Sequence, residues 1–259
     1  MQNKNPIGLF DSGVGGVTIW KAIHDLMPNE NTIYLADSIN APYGQKSTQE
    51  IIDLCFKNVD FLLSKKAKII VVACNTATTN AIKEMRLHFK IPIIGIEPAI
   101  KPAATQSKTQ TIGILATRGT LNSDLFSKSV AQFHETNIIE QIGHGLVQLI
   151  ENGDTSSAEM TRLLQKYLDP MIAANIDFLV LGCSHYPFLI PEIKKILPPH
   201  ITIIDSGEAV AKQTFTVLKN HKLLNNSTIP SKNIFYSNSN PLILEQILEH
   251  KHDVLFEHF

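Results

Sequence analysis

Two apolar runs that each end in a cysteine limit the folds available to this chain more than any other feature. Residues 67–73 read AKIIVVA and precede Cys74, and residues 176–182 read IDFLVLG and precede Cys183. A continuous run rich in branched apolar residues is typical of a strand that is buried on both faces, as in a parallel sheet. Residues just beyond the carboxyl ends of such strands line the ligand crevice. The sequence therefore predicts that both cysteines lie where a ligand would bind.

Strand-like and helix-like segments alternate along the whole chain. The predicted strands span residues 7–10, 32–36, 67–73, 91–95, 111–116, 137–141, 178–182, 201–205 and 233–236. The predicted helices span residues 17–27, 47–64, 76–89, 120–133, 145–151, 156–174, 189–197, 207–218 and 241–248. Alternation of this kind predicts an α/β fold whose sheets are mostly parallel.

The two halves of the chain carry a weak internal repeat. The segment IGLFDSG, which begins at Ile7, is echoed by IGILATRG from Ile112, an offset of 105 residues (112 − 7). The cysteines of the two apolar runs are 109 residues apart (183 − 74). Similar offsets favour two similar, pseudo-symmetric α/β domains. One cysteine at the matching place in each half further suggests an active site at their interface, with one reactive sulfur on each side of a substrate.

The C-terminal residues are assigned to the first domain. Asp205-Ser206-Gly207 opens a predicted helix much as Asp11-Ser12-Gly13 does, so we expect the chain to return to the first domain after this point. The two predicted domains comprise residues 1–97 with 208–259, carrying Asp11 and Cys74, and residues 98–207, carrying Cys183 and His185.

Composition and charge narrow the function classes. The chain has 259 residues, 44% of them apolar, and a net charge of −1, as expected of a globular protein with a substantial core. This balance provides no bulk attraction to nucleic acid or to an anionic membrane, so we expect neither partner. No segment has the apolar length of a membrane span or the pattern of a signal peptide, which predicts a cytoplasmic protein.

Three cysteines, an odd number without a secretory signal, indicate free thiols in a reducing compartment. Cys55 lies inside a predicted helix between Leu54 and Phe56, and we expect it to be a small buried hydrophobe. Cys74 and Cys183 occupy matching positions in the two halves, for which packing alone is a weaker explanation.

Four uses of the matched cysteines can be compared. A disulfide does not suit a reducing compartment without a CxxC spacing. A metal site needs two further ligands; His185 is one candidate, but no second stands at ligand spacing, so no metal is expected. A cysteine–histidine hydrolase uses one thiol and leaves the other unexplained, whereas two-base proton transfer uses both.

Polar loops follow several of the predicted strands. Residues 11–16 form a glycine-rich loop that can bind an anion or merely cap a helix, and its glycines lack the spacing of a dinucleotide-binding fingerprint. His185 either caps the following helix or points into solvent, or its imidazole lowers the pKa of Cys183 or shuttles the proton of that thiol. Asp11 is expected to play the corresponding part in the first half, and Glu151 is a lesser candidate for orienting His185.

Taken together, these motifs resemble the cofactor-independent aspartate/glutamate racemase family. The matching segments, which follow the family's order, are GLFDSGVGG at 8–16, Asp37 with PYG at 42–44, ACNTA at 73–77 and LGCSHYP at 181–187. Ser184 stands where the family usually has threonine, and residues 116–122 match only loosely.

The resemblance implies two α/β domains, a homodimer, and interconversion of L- and D-glutamate without a cofactor, which supplies D-glutamate for peptidoglycan. It implies that Cys74 and Cys183 are the acid/base thiols, with Asp11 and His185 as further catalytic residues. The residues that it places around the substrate are Asp11, Ser12, Pro42, Tyr43, Gly44, Asn75, Thr76, Thr117, Thr120, Ser184 and His185.

Three alternatives stay open at this stage. A racemase of the same kind could act on aspartate, on hydantoins or on several amino acids. An α/β binding protein could carry both cysteines as packing residues, and a nucleotide-dependent enzyme could use the loop at residues 11–16.

The chain has only three arginines, so we expect neutral donors such as Asn75 and Thr76, rather than a guanidinium, to hold a substrate's carboxylates.

Overall fold

The computed structural model describes residues 4–225, 227 and 230–259, and within them ten strands form two sheets in which all paired strands are parallel. The strands are β1 (Ile7–Asp11), β2 (Thr32–Ala36), β3 (Ile69–Val72), β4 (Ile93–Gly95), β5 (Thr111–Ala116), β6 (Asn137–Ile142), β7 (Phe178–Gly182), β8 (Thr202–Ile204), β9 (Asn233–Ser237) and β10 (Val254–Phe256). The first sheet has the order β10-β9-β2-β1-β3-β4 and the second the order β6-β5-β7-β8. The predicted α/β class with parallel sheets is confirmed.

Eleven α-helices lie between or after these strands in the described part of the chain. They are α1 (Val17–Leu26), α2 (Thr48–Ser64), α3 (Asn75–His88), α4 (Ile100–Gln106), α5 (Arg118–Leu121), α6 (Asp124–Val130), α7 (Leu146–Glu151), α8 (Ala158–Ala173), α9 (Ile190–Ile196), α10 (Gly207–Asn220) and α11 (Leu242–Ile247). Local chemistry explains where α2 begins, because Ser47 and Glu50 form a reciprocal capping box that satisfies two backbone N–H groups.

The internal repeat is visible in the strand order. The order β2-β1-β3-β4 in the first sheet corresponds to β6-β5-β7-β8 in the second. The central strands β1 and β5 carry the repeated segments, and their neighbours β3 and β7 lead to Cys74 and Cys183. Each half therefore places one cysteine at the same position of an equivalent sheet, as the repeat predicts.

Three elements differ from those predicted. The sequence pattern does not indicate β10, which has only three residues, or α4, which contains Pro102 within its first turn, where proline is tolerated. The predicted helix over residues 120–133 is divided, because the hydroxyl of Ser123 accepts a hydrogen bond from the Phe126 N–H (3.3 Å) and starts α6 separately.

The C-terminal part of the chain extends the first sheet. Strand β9 pairs with β2, β10 pairs with β9, and α10 packs against α1. The largest cluster of buried apolar side chains includes Val14 from the first half and Val147 and Ile150 from the second, so the halves share an apolar interface. The domain limits at residues 97 and 208 stay a prediction.

Candidate active site

Cys74 and Cys183 line one small cavity at the carboxyl ends of β3 and β7. Both side chains are buried and both thiols are free. The cavity has about 10 Å³ of room, roughly the space of one water molecule. Its wall is formed by Ser12, Pro42, Tyr43, Gly44, Cys74, Asn75, Thr76, Thr117, Val147, Cys183, Ser184 and His185. Every wall residue except Val147 is among the residues that the sequence singles out.

The sulfur of Cys74 is held at the start of α3. It accepts a hydrogen bond from the Ala77 N–H (3.4 Å), and the thiol lies 3.5 Å from the hydroxyl of Ser12. Burial, assisted by the negative charge of Asp11, raises the pKa of Cys74 to about 12, although the contacts with Ala77 and Ser12 act in the opposite direction. In this geometry Cys74 is therefore a neutral thiol, which can act as an acid.

Cys183 has a histidine as its partner. Its sulfur lies 3.8 Å from Nδ1 of His185, and Nε2 of the same ring lies 2.5 Å from Oε1 of Glu151. Burial opposes a charge on this imidazole, yet the hydrogen bonds to Cys183 and Glu151, with the charges of Asp11 and Glu151, hold the pKa of His185 well above its ordinary value. An imidazolium in this position can donate a hydrogen bond to a thiolate.

Asp11 lies behind the cavity wall rather than in it. It is fully buried, and its carboxylate accepts hydrogen bonds from the hydroxyl of Ser184 (2.7 Å) and from the Gly13 N–H (2.9 Å). Burial raises the pKa of Asp11 to about 6, although the charge of His185 and the Ser184 hydroxyl lower it. Ser12, not Asp11, contacts the sulfur of Cys74, so the expected pairing of Asp11 with Cys74 is electrostatic and indirect.

The loop with Pro42, Tyr43 and Gly44 contributes less hydrogen-bonding capacity to the cavity than the sequence suggests. The phenol of Tyr43 donates its proton to Oδ2 of Asp37 and accepts a hydrogen bond from the Asn58 amide (3.1 Å). Burial, followed by the nearby Asp37 charge, raises the pKa of Tyr43 well above its ordinary value. The phenol proton is thus already bound, and Tyr43 shapes the wall with its ring.

Asn75 is the most direct sign of a polar ligand. Its side chain lines the cavity and is 2% exposed, yet neither its amide nitrogen nor its amide oxygen has a partner among the described residues. An unpaired buried amide costs free energy, and such groups usually have a functional explanation. A ligand with both a donor and an acceptor, such as an amino acid, would satisfy both atoms.

Three threonines join the halves beside the cavity. The hydroxyl of Thr76 lies 2.8 Å from that of Thr117 and 3.4 Å from that of Thr120, and the latter two are 3.1 Å apart. Thr76 and Thr117 line the cavity, whereas Thr120 is fully buried behind it. The cluster fixes α5 of the second half against α3 of the first.

Two asparagines that the sequence does not single out hold this arrangement. The amide of Asn80 donates to the backbone carbonyls of Thr76 and Gly119, each at 2.9 Å, and so connects the halves. The amide of Asn238 donates to Oδ1 of Asp37 (2.5 Å). Asn238 directly follows β9, a position that reveals its role only once β9 is known to lie beside β2.

The sequence profile of the family described as Asp/Glu/Hydantoin racemase matches residues 17–214. With two parallel α/β units and a thiol from each in one cavity, the chain belongs to this family of racemases, and it is an isomerase.

Comparison with particular proteins points to one branch of the family. The chain is 42% identical to the glutamate racemase of Pseudomonas syringae pv. tomato over 236 residues, which cover 90% of this chain and 85% of the relative. It is similar to the crystal structure of Francisella tularensis glutamate racemase in complex with D-glutamate (TM-score 0.85, 30% identity, 99% and 98% of the two chains covered). It is also similar to Escherichia coli glutamate racemase in complex with L-glutamate and the activator UDP-MurNAc-Ala (TM-score 0.86, 32% identity, 97% of each chain covered).

Two further properties of the described residues bear on partners. They contain no group of three or more histidine, cysteine, aspartate or glutamate side chains that could hold a metal ion. Within the same ranges, no helix has the length and apolar character needed to cross a membrane.

Proposed function

We propose that this protein interconverts L- and D-glutamate by proton transfer at two thiols, without a cofactor, and supplies D-glutamate for peptidoglycan. The observation that carries the proposal is that Cys74 and Cys183, from equivalent positions of two similar halves, line one cavity. Relatives named glutamate racemase, two of them solved with D- or L-glutamate, support glutamate as the substrate.

The reaction needs one base and one acid on opposite faces of the α-carbon. One thiolate removes the α-proton and becomes a thiol, and the other thiol donates its proton to the opposite face and becomes a thiolate. The substrate changes only in configuration, and the enzyme ends with its proton on the other sulfur. The reverse reaction uses the same pair with their roles exchanged.

The surroundings of the two sulfurs suggest which of them starts in which role. Cys74 is held as a neutral thiol by burial and by the charge of Asp11, so it suits the initial acid. The sulfur of Cys183 lies 3.8 Å from Nδ1 of His185, and a hydrogen bond from this ring would stabilise negative charge on the sulfur, so Cys183 suits the initial base. With the enantiomer whose α-proton faces Cys183, Cys183 then abstracts that proton and Cys74 donates; with the other enantiomer the roles are exchanged.

The carbanion that forms between the two steps must be stabilised by oriented donors in a site from which water is excluded. The unpaired amide of Asn75 and the hydroxyl of Thr76 are available at the cavity wall. Asp11 contributes from behind this wall by holding Ser184, which lines the cavity. The cavity is smaller than an amino acid, so the halves or their loops have to move apart before the substrate binds.

The test is proton NMR of the purified protein with L-glutamate in D₂O, read together with optical rotation. We expect the α-proton signal and the rotation to decay together in the wild type and in Cys55→Ser, a matched control in which a buried thiol outside the cavity is replaced. Cys74→Ser and Cys183→Ser should abolish racemisation. Wild-type rates in either variant would contradict the two-thiol mechanism.

The same experiment separates the alternatives. Exchange with aspartate but not with glutamate would keep the mechanism and change the substrate. Absence of exchange with any amino acid would favour a binding protein in which Cys74 and Cys183 only pack.

A cytoplasmic location and a homodimer belong to the same proposal. Three free, buried cysteines fit a reducing compartment. Cell fractionation and sedimentation velocity of the full chain test these two statements separately.

A further inference from the structure

Two open clefts adjoin the thiol cavity, and both share Pro42 and Val147 with its wall. The first, called the basic cleft below, lies between residues 44–48, helix α5 and residues 142–148, so both halves form it. It has about 460 Å³ of room against about 10 Å³ in the thiol cavity. That size is in the range of sites for small molecules. An amino acid can therefore occupy the cleft while the thiol cavity is still closed.

Charge distinguishes the two clefts. The basic cleft is bordered by Lys46, Arg118 and His144, and none of the described residues along it is an aspartate or glutamate. The second cleft is bordered by Glu151, and the described residues there include no lysine, arginine or histidine. Coulomb's law therefore favours a carboxylate in the basic cleft, whereas the described residues of the second cleft include no cation to hold one.

Arg118 is the principal cation of the basic cleft. It is the exposed first residue of α5 and directly follows Thr117, which lines both the cleft and the thiol cavity. Within the described ranges it forms no ion pair. A guanidinium presents a planar fork of N–H donors that matches a carboxylate. The charge of Lys46 is partly balanced by Glu50, so Arg118 should contribute most.

We propose that the basic cleft is an anion-binding vestibule, in which Arg118 and Lys46 capture a carboxylate of the dicarboxylate substrate before it reaches the thiols. This inference rests on the proposed function. The described wall of the thiol cavity contains no lysine or arginine, and its imidazole, His185, is already paired with Glu151. Neutral donors such as Asn75 therefore take over from the cations as the carboxylates move inward. A cation outside the cavity raises the local concentration of substrate without stabilising its ground state between the thiols.

Kinetics at two ionic strengths test the vestibule. We expect Arg118→Gln to lower kcat/KM for L-glutamate about two- to fivefold in low salt, and the double variant with Lys46→Gln to lower it further. The loss should shrink in about 0.5 M NaCl, because salt screens exposed charges. Arg118→Lys, which keeps the charge but not the planar fork, should retain a kcat/KM between those of the wild type and Arg118→Gln. Lys219→Gln, which removes an exposed charge on α10 outside both clefts, is the matched control.

A second readout does not depend on activity. In ¹⁵N-labelled protein titrated with sodium sulfate, we follow the backbone amide signals of positions 118, 119 and 144 by NMR. These signals should shift saturably in the wild type and should not shift in the double variant. Sulfate binding without glutamate exchange would overturn the proposed function alone. Two results together would overturn the vestibule alone, provided that glutamate exchange is observed. The first is equal kcat/KM in the double variant and in Lys219→Gln, and the second is equal sulfate-induced shifts in the wild type and the double variant.

Discussion

The imidazole Nε2 of His185 lies 2.5 Å from Oε1 of Glu151, a residue of the same half of the chain. The same carboxylate accepts hydrogen bonds from the first half, namely from the Val14 N–H (2.7 Å) and from the Ser38 hydroxyl (3.1 Å). One side chain thus orients the imidazole beside Cys183 and also joins the two halves.

Glu151→Gln keeps the shape of this side chain and removes its charge. We expect kcat for glutamate racemisation to fall about ten- to hundredfold, because the imidazolium loses its stabilising anion. The basic limb of the pH–rate profile should move to lower pH, since Glu151 helps to raise the pKa of His185. Glu159→Gln, at an exposed glutamate paired with Arg162, is the control. An unchanged pH profile in Glu151→Gln would contradict this role.

Asp11 should lower stability at neutral pH in return for function. Burial raises its pKa from 3.8 to about 6, so the folded state holds the proton more tightly than the unfolded state does. Stability is therefore lost as the pH rises through this window and is unaffected below it. We expect Asp11→Asn to be more stable than the wild type by about 1–3 kcal/mol at pH 7.5 in urea unfolding, with the difference vanishing near pH 4. Its racemisation rate should fall.

Asp177→Asn is a control for which we expect the opposite change in stability at neutral pH. Although burial acts against it, hydrogen bonds from Ser107, Lys108 and Thr109 lower the pKa of Asp177, so its ionised form stabilises the fold. This variant should be less stable than the wild type at neutral pH, and the deficit should shrink in acid. A stability difference in Asp11→Asn that does not change with pH would contradict the proposed burial cost.

Gly13 and Gly207 each follow an aspartate by two residues but differ in the space around them. Each N–H donates to the aspartate two residues earlier, Gly13 to Asp11 (2.9 Å) and Gly207 to Asp205 (2.7 Å). A Cβ at position 13 would lie 1.8 Å from Oε1 of Glu151, whereas at position 207 the nearest atom would be 3.1 Å away. We expect Gly13→Ala to displace Glu151 and lower kcat at least about tenfold, as loss of acid/base positioning does. Gly207→Ala should retain activity; equal rates in the two variants would contradict the argument.

Asn238 should affect substrate binding through the loop that follows β2. Its amide donates to Asp37, which also accepts the Tyr43 hydroxyl proton, and its amide oxygen accepts the Ile39 N–H (3.1 Å). We expect Asn238→Ala to raise KM several-fold with a smaller effect on kcat, and to cost about 1–2 kcal/mol of stability. Asn240→Ala, which loses only a local contact with the Leu242 N–H, is the comparison. A fall in kcat at unchanged KM would contradict a positioning role.

Several features of the fold and site are encoded locally. Strands buried on both faces need continuous apolar runs, so β3 and β7 are visible in the sequence, and the cysteines that follow them lie where parallel strands end. The repeat of residues 7–13 at 112–119 reflects the equivalent central strands β1 and β5. Strand β10 is short and two of its three residues are exposed, so it lacks the apolar run that reveals the equally short strand β4.

The sequence by itself determined the α/β class and the two similar halves, because these depend on periodicity and on an internal repeat. It also indicated nearly all of the residues of the thiol cavity, the two cysteines from their place after strands and most of the others through the resemblance to a known family. Only the tertiary structure decided how the halves meet. Glu151 and Val14 are 137 positions apart, and Asn238 and Asp37 are 201 apart. The first contact depends on how the two sheets face each other and the second on β9 lying beside β2 in one sheet, and no local pattern encodes either placement. The same reason explains why Asp11 lies behind the cavity wall, and why three basic side chains from both halves border one cleft.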